Sequence, residues 1–130
     1  MKKTLTTLIT LLALTFAAST ASADHHMEKE SKMAPKSVIH VVTVSWKADA
    51  TPAQIKAALD GVHTLAKEYP GITRVWTRTI KAQGNRGAAF VMEFASEKAL
   101  ADYAGSDAQK KWYESYYPAR EGSTTFDISN

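Results

Sequence analysis

Residues 38–46, VIHVVTVSW, decide the fold class, because all of them except His40 and Ser45 are β-branched or aromatic. Such residues favour an extended strand, and here the apolar side chains fall on both faces. Shortly afterwards, Thr51-Pro52-Ala53-Gln54 provides an N-cap, a proline at the first helical position and the glutamine of a capping box. Apolar residues then recur at helical spacing over 55–69, until a Pro-Gly pair. The sequence therefore predicts a strand followed by an amphipathic helix.

The same reasoning predicts five further elements. They are strands at 72–81 and 88–94 joined by a turn, a helix from Ser96 to about Tyr103, a helix opened by the capping box Ser106–Gln109 and ending at Pro118, and a strand at 123–128. The 88–94 strand is nearly continuously apolar, so we expect it in the centre of the sheet.

The predicted element order is βαββααβ, which indicates an α+β sandwich of the ferredoxin-like type, with three helices on one face of an antiparallel four-stranded sheet. The helices cover only one face, yet the strands at 38–46 and 88–94 are apolar on both. We therefore expect a second copy of the chain to cover the open face in a homodimer.

The N-terminal segment has the composition of a secretory signal peptide. A basic head at Lys2 and Lys3 precedes the apolar residues 5–18, and Ala21-Ser22-Ala23 provides a cleavage site. We expect residues 1–23 to be a signal peptide, residues 24–36 to be a flexible polar leader, and residues 37–130 to be the domain. A periplasmic or secreted location follows from this interpretation.

Composition excludes several classes of protein. The net charge of +3 falls to +1 once Lys2 and Lys3 leave with the signal peptide, which removes the main support for nucleic-acid binding. The chain has no cysteine, so disulfides, thiolate metal sites and a cysteine nucleophile are excluded. No Gly-rich phosphate loop or long basic amphipathic helix is present, and we expect no cofactor and no stable membrane attachment.

Several short motifs together resemble the stress-responsive A/B barrel (Dabb) family. They are Ile39-His40-Val41-Val42, Pro70-Gly71-Ile72, Phe90-Val91-Met92-Glu93-Phe94-Ala95-Ser96-Glu97, Ala101-Asp102-Tyr103 and Phe126-Asp127-Ile128. The resemblance covers about residues 37–129. It implies a dimeric α+β barrel, in agreement with the argument from the uncovered sheet face.

The resemblance also implies candidate site residues. In a plant polyketide cyclase of this family, histidines and a tyrosine act in a pocket between the sheet and the helices. His40 and Tyr103 stand at the positions of the first-strand histidine and the helix tyrosine. Gln109, however, stands where the family often has its acid–base histidine, and Ala88 replaces another pocket histidine. Glutamine cannot exchange a proton at neutral pH, so the cyclase mechanism does not transfer as it stands.

Each candidate residue also has a purely structural interpretation. His40 is either a general base in an apolar pocket or a core histidine, and Glu93 and Tyr103 are the neighbours expected by topology. Tyr103 is either a pocket donor or a packing residue, and Gln109 is either a ligand contact or a capping partner. The candidate catalytic residues are His40 and Tyr103. The candidate ligand-binding residues are His40, Val42, Val44, Phe90, Tyr103, Gln109 and Trp112.

Cleavage after Ala23 would create a further candidate site. The new terminus, Asp24-His25-His26, would carry a free amine and a histidine in third position. That set of nitrogen donors suits square-planar Cu(II) or Ni(II), whereas a solvated polar leader is the simpler interpretation.

Three hypotheses for function follow. The first is an exported domain that binds a small apolar or aromatic molecule between the sheet and the helices. The second is an enzyme, either a cyclase-like lyase or a monooxygenase, which uses His40 and Tyr103. The third is copper or nickel binding by the processed N-terminus.

Overall fold

The computed structural model describes residues 36–130, so the predicted signal peptide, most of the leader and the Asp24-His25-His26 terminus lie outside the described residues. The elements are β1 (Val38–Trp46), α1 (Pro52–Glu68), β2 (Ile72–Trp76), β3 (Ala88–Phe94), α2 (Glu97–Tyr103), α3 (Asp107–Ala119) and β4 (Arg120–Ile128). The predicted βαββααβ order is confirmed.

The helices begin where the sequence predicts, because side chains satisfy their first backbone N–H groups. Thr51 and Gln54 form the complete capping box of α1, and Ser96 accepts a hydrogen bond from the N–H of Ala99 at the start of α2. The start of α3 differs in one detail. Ser106 accepts from the N–H of Gln109, but the Gln109 side chain accepts from the N–H of Gly105, not from that of Ser106.

The four strands form one antiparallel sheet in the order β2-β3-β1-β4, so β1 and β3 are central, as predicted for β3. Even-numbered residues of both central strands face the helices, and this side holds the core around Val44, Phe90 and Phe94. Odd-numbered residues of the two central strands lie on the open face. Their register partners there include Trp76, Phe126 and Ile128, which are about half exposed. The ferredoxin-like α+β architecture is thus confirmed.

Two strands have different bounds from those predicted. The predicted strand 72–81 ends at Trp76, because the Thr79 side chain hydrogen-bonds to both the N–H and the C=O of Ala89. That hydroxyl takes the place of backbone pairing at the sheet edge. The last strand begins at Arg120, three residues before the predicted start, and Arg120 pairs with Trp46 beyond a register shift.

Within 36–130, no helix combines the length and the apolar character that crossing a bilayer requires. The same residues contain no group of three or more His, Asp or Glu side chains that could hold a metal ion.

Candidate functional site

A cavity of about 150 Å³ lies between the helix-facing side of the sheet and helices α2 and α3; we call it the inner cavity. An engineered apolar cavity of about this volume in another protein binds benzene, so the space suits a single aromatic ring. Strands β1 and β4 supply four of its lining residues, the helices supply five, and Arg120 at the start of β4 completes the lining. The lining residues are His40, Val42, Ser123 and Thr125 on the strands, Tyr103, Gln109, Trp112, Tyr113 and Tyr116 on the helices, and Arg120 where α3 meets β4.

His40 forms a pair with Asp127 at one end of the inner cavity. The two residues are register partners on β1 and β4, and His40 Nδ1 lies 2.6 Å from Asp127 Oδ1. The His40 side chain is 15% exposed and that of Asp127 is 46% exposed. An ionised carboxylate only accepts hydrogen bonds, so the neutral ring carries its proton on Nδ1 and keeps Nε2 as an acceptor.

Tyr103 and Gln109 stand beside this pair. The Tyr103 ring meets His40 edge to face at 6.3 Å between centroids and packs against Phe94 at 5.1 Å. Burial raises the pKa of the Tyr103 hydroxyl well above its ordinary value, and a hydrogen bond from the Gln109 side chain opposes the rise only in part. Tyr103 therefore remains a neutral hydrogen-bond donor at any physiological pH.

Aromatic rings of α3 form the opposite wall. Trp112 and Tyr116 stack at 4.5 Å between centroids, Tyr113 and Tyr117 stack at 4.3 Å, and the Trp112 indole N–H donates to the carbonyl of Ala58 at 2.9 Å. Burial, followed by a hydrogen bond with Tyr117, raises the pKa of Tyr113 to about 12. The α3 rings that line the cavity, those of Trp112, Tyr113 and Tyr116, are therefore uncharged at neutral pH.

The far end of the cavity is polar. The Arg120 guanidinium donates to Ser123 Oγ at 2.9 Å and lies 5.7 Å from the centre of the Tyr116 ring. Within residues 36–130, the Tyr116 hydroxyl is the buried side-chain polar atom that has no hydrogen-bond partner. Burial raises the pKa of Tyr116, whereas Ser123 and Arg120 lower it. These two side chains are therefore the polar groups nearest to the Tyr116 hydroxyl.

Most of the predicted ligand-binding residues meet at the inner cavity. His40, Val42, Tyr103, Gln109 and Trp112 line it, but Val44 and Phe90 are almost completely buried in the core beside it and do not line it.

Topology alone misplaced one neighbour of His40. Glu93 lies on the open sheet face, where it forms an ion pair with Arg74 and accepts from Ser37 Oγ at 2.6 Å, so it does not orient His40. Asp127 takes that position. Gln109 combines both interpretations, since it caps Gly105 and also contacts the Tyr103 hydroxyl inside the cavity.

Asp127, Tyr113, Tyr116, Arg120, Ser123 and Thr125 were not among the predicted site residues. The alternation of residues 123–128 could have placed Asp127 on the helix-facing side of the last strand. Antiparallel pairing of the first and last strands then puts Asp127 opposite His40. The contribution of Arg120 depends on the early start of β4, for which the sequence holds no clear turn signal.

The arrangement combines an oriented imidazole, a neutral phenol and a ring-sized space. His40 Nε2 can accept a proton or a hydrogen bond, and the Tyr103 hydroxyl can donate to an oxygen of a bound molecule. These are the elements of a binding site for a small oxygen-bearing aromatic molecule, and also of acid–base chemistry.

Comparison with protein families identifies the domain. The family model described as the stress responsive A/B barrel domain, Dabb, matches residues 38–130. The chain belongs to the Dabb family. The resemblance of the short motifs is thereby confirmed, although no curated protein shows significant sequence similarity to the chain.

Solved structures share the fold of this Dabb domain. A hydroxynitrile lyase from Passiflora edulis is 16% identical with a TM-score of 0.66, over 75% of this chain and 95% of the lyase. A cofactor-independent oxygenase from Streptomyces nogalater is 10% identical with a TM-score of 0.60, over 74% of this chain and 94% of the oxygenase. A dimeric ferredoxin-like protein of unknown function from a Jannaschia species is 19% identical with a TM-score of 0.61, over 72% and 99% of the two chains.

Proposed function

We propose that this Dabb domain binds a small apolar or aromatic molecule in the inner cavity. The observation that carries the proposal is the pairing of a ring-sized space, walled by Trp112 and Tyr116, with the unused acceptor Nε2 of His40. Aromatic walls that surround convergent polar groups are found in many small-molecule sites.

Phenol is a suitable first probe because it has one ring and one hydroxyl donor for His40. We expect saturable binding, observed as quenching of tryptophan fluorescence and confirmed by calorimetry. In the variant Thr125→Phe, a large side chain at an exposed position of the cavity wall should block binding. Thr73→Phe, at an exposed position outside the cavity, is the matched control and should bind phenol normally. Absence of saturable binding to the wild type, or equal binding to Thr125→Phe, would contradict the proposal.

A second candidate function is acid–base catalysis by His40 and Tyr103, and the Asp127 contact favours it. An imidazole oriented by a carboxylate can take a proton at Nε2 while the Tyr103 hydroxyl donates a hydrogen bond to a carbonyl or hydroxyl oxygen. Both a lyase and a cofactor-independent oxygenase share the fold. The cyclase-like and monooxygenase-like hypotheses both belong here, with Gln109 in a binding role only.

A cyanohydrin tests this candidate directly. The base takes the hydroxyl proton, the carbon–carbon bond to the nitrile breaks, and an aldehyde and cyanide leave. Release of benzaldehyde from mandelonitrile by the wild type, reduced about 100-fold in His40→Ala, would support catalysis. Absence of turnover above the solution rate would leave phenol binding as the function of the cavity and contradict lyase activity.

We further propose a homodimer formed through the open sheet face. Phe126 and Ile128 on β4 are 58% and 57% exposed, and Trp76 on β2 is 48% exposed. Single exposed apolar residues are ordinary, but three large ones on one sheet face form a surface that a partner would cover. The Jannaschia protein of the same fold is described as dimeric.

Export remains a proposal that rests on the sequence of residues 1–23. We propose cleavage after Ala23 and a periplasmic or secreted mature protein, whose new terminus Asp24-His25-His26 has the donor set for Cu(II) or Ni(II). N-terminal analysis of the secreted protein tests the cleavage site. A mature protein that retains residues 5–18 would contradict it.

A further inference from the structure

We infer that the Arg120 end of the inner cavity is an anion subsite, so that the cavity selects a ligand with a carboxylate group. This inference rests on the proposed function, because it presumes that the cavity binds a small molecule. The ligand is then an anion, and its carboxylate lies at the Arg120 end of the inner cavity.

The guanidinium of Arg120 is a cation in the cavity wall, and no Asp or Glu side chain within residues 36–130 forms an ion pair with it. Its contacts are the Ser123 hydroxyl and the rings of Tyr116 and Tyr117. A guanidinium presents five donors in a planar fork that matches a carboxylate. Arg120 therefore has donors available for an anionic acceptor.

The hydroxyl of Tyr116 supplies the second observation. It is buried and makes no hydrogen bond of ordinary geometry within residues 36–130, although Ser123 and Arg120 approach its oxygen closely enough to lower its pKa. Leaving a buried hydroxyl without a partner is unfavourable, so an acceptor atom at this place would be stabilised. Since burial raises the pKa of Tyr116, its hydroxyl is a donor at neutral pH. A cation and an unpaired donor at one end of a cavity form a donor set for an anion.

The opposite end of the cavity has the complementary character. His40 Nε2 is an acceptor because Nδ1 faces Asp127, and a second anionic group near Asp127 would be repelled. A carboxylate is thus directed to Arg120 and Tyr116, while a neutral part of the ligand faces His40. The Trp112 ring forms the side wall between them.

Benzoate and benzamide test the subsite, because the two molecules have nearly the same size and shape but only benzoate is charged at neutral pH. We expect the wild type to bind benzoate about tenfold or more tightly than benzamide in calorimetric titrations of the full chain. In Arg120→Gln this ratio should fall to about one, with benzamide binding little changed. Tyr116→Phe should lose part of the preference, and Arg120→Lys should keep part of it.

The matched control is Arg78→Gln, which removes the same charge from an exposed position outside the cavity and should keep the full preference. Equal binding of both probes by the wild type would overturn the anion subsite and leave cavity binding intact. A preference that persists in Arg120→Gln would also overturn it, because the anion would then bind elsewhere. If neither probe bound at all, the anion subsite and the proposed function would both be contradicted. If Arg120→Gln did not fold, the Arg120→Lys and Tyr116→Phe ratios would decide the question.

Discussion

Nδ1 of His40 lies 2.6 Å from Oδ1 of Asp127, and the two residues are direct register partners on adjacent antiparallel strands. The sheet itself therefore fixes the contact, since neither side chain needs to reach along its strand. The consequence is a defined imidazole tautomer with Nε2 available at a cavity that also contains the Tyr103 phenol and the Arg120 guanidinium.

The first prediction concerns this tautomer. In the wild type, ¹⁵N NMR of the neutral His40 ring should show the proton on Nδ1, because the Asp127 carboxylate can only accept. In Asp127→Asn the amide can donate to Nδ1, so the proton should move to Nε2 in a substantial fraction of molecules. His63 lies on α1, where its Nε2 is 2.8 Å from Thr77 Oγ1, and it serves as the internal control. Unchanged His40 signals in Asp127→Asn would contradict the assigned contact.

The second prediction separates the roles of His40 and Gln109. His40→Ala should lower any turnover about 100-fold because it removes the only imidazole among the described residues that line the inner cavity. Gln109→Ala should cost about 1 kcal/mol of stability, because the Gly105 N–H loses its capping acceptor. Rates compared at equal folded fraction, together with urea unfolding, check both. Full activity in His40→Ala with loss of activity in Gln109→Ala would reverse the assigned roles.

The third prediction concerns acid stability and the ion pair on the open face. Hydrogen bonds from Arg74 and from Ser37 lower the pKa of Glu93 to about 2, from an ordinary value of 4.5. Because the folded-state pKa lies below the unfolded one, the stabilisation is complete above about pH 4.5 and is lost as the pH falls towards 2. The free energy of unfolding of the wild type should therefore fall by about 1 to 3 kcal/mol across this window.

Glu93→Gln tests that prediction, because the variant keeps the shape of the side chain and removes the titrating group. Its stability should depend less on pH between 4.5 and 2, whereas the exposed-site control Glu114→Gln should follow the wild type. Parallel curves for Glu93→Gln and the wild type would show that the Arg74 contact adds no stability.

The fourth prediction concerns the proposed homodimer. Phe126→Glu places a charge on the open sheet face, on the edge strand β4, and should convert the protein to a monomer in light scattering at micromolar concentration. Ala57→Glu, which places the same charge on an exposed position of α1, should leave the dimer intact. A monomeric wild type would contradict the proposal, as would a dimer that survives the Phe126 change.

Local signals in the sequence were sufficient for most of the fold. The N-cap residues Thr51, Ser96 and Ser106 mark the helix starts because each satisfies an N–H group only a few residues away. The nearly continuous apolar run of β3 likewise identifies it as a central strand. Both kinds of signal lie within a few residues of the structure that they predict.

Contacts between residues distant in the sequence were not predictable in the same way. The sequence does not show that Thr79 hydrogen-bonds to Ala89 and thereby ends β2 at Trp76. Nor does it show that Asp127 faces His40, a contact over 87 residues that requires knowledge of the strand order. The candidate site depends on such pairings, so its histidine and tyrosine could be predicted but its aspartate and arginine could not.

The most direct test of the central claim is ¹⁵N NMR of His40 during a phenol titration. If the inner cavity binds a small aromatic molecule at the oriented imidazole, the Nε2 signal should shift saturably in the wild type, because a ligand hydroxyl donates to it. The Thr125→Phe variant, in which the cavity is occluded, should show no such shift. A His40 signal that does not respond to phenol, or that responds equally in Thr125→Phe, would contradict the account.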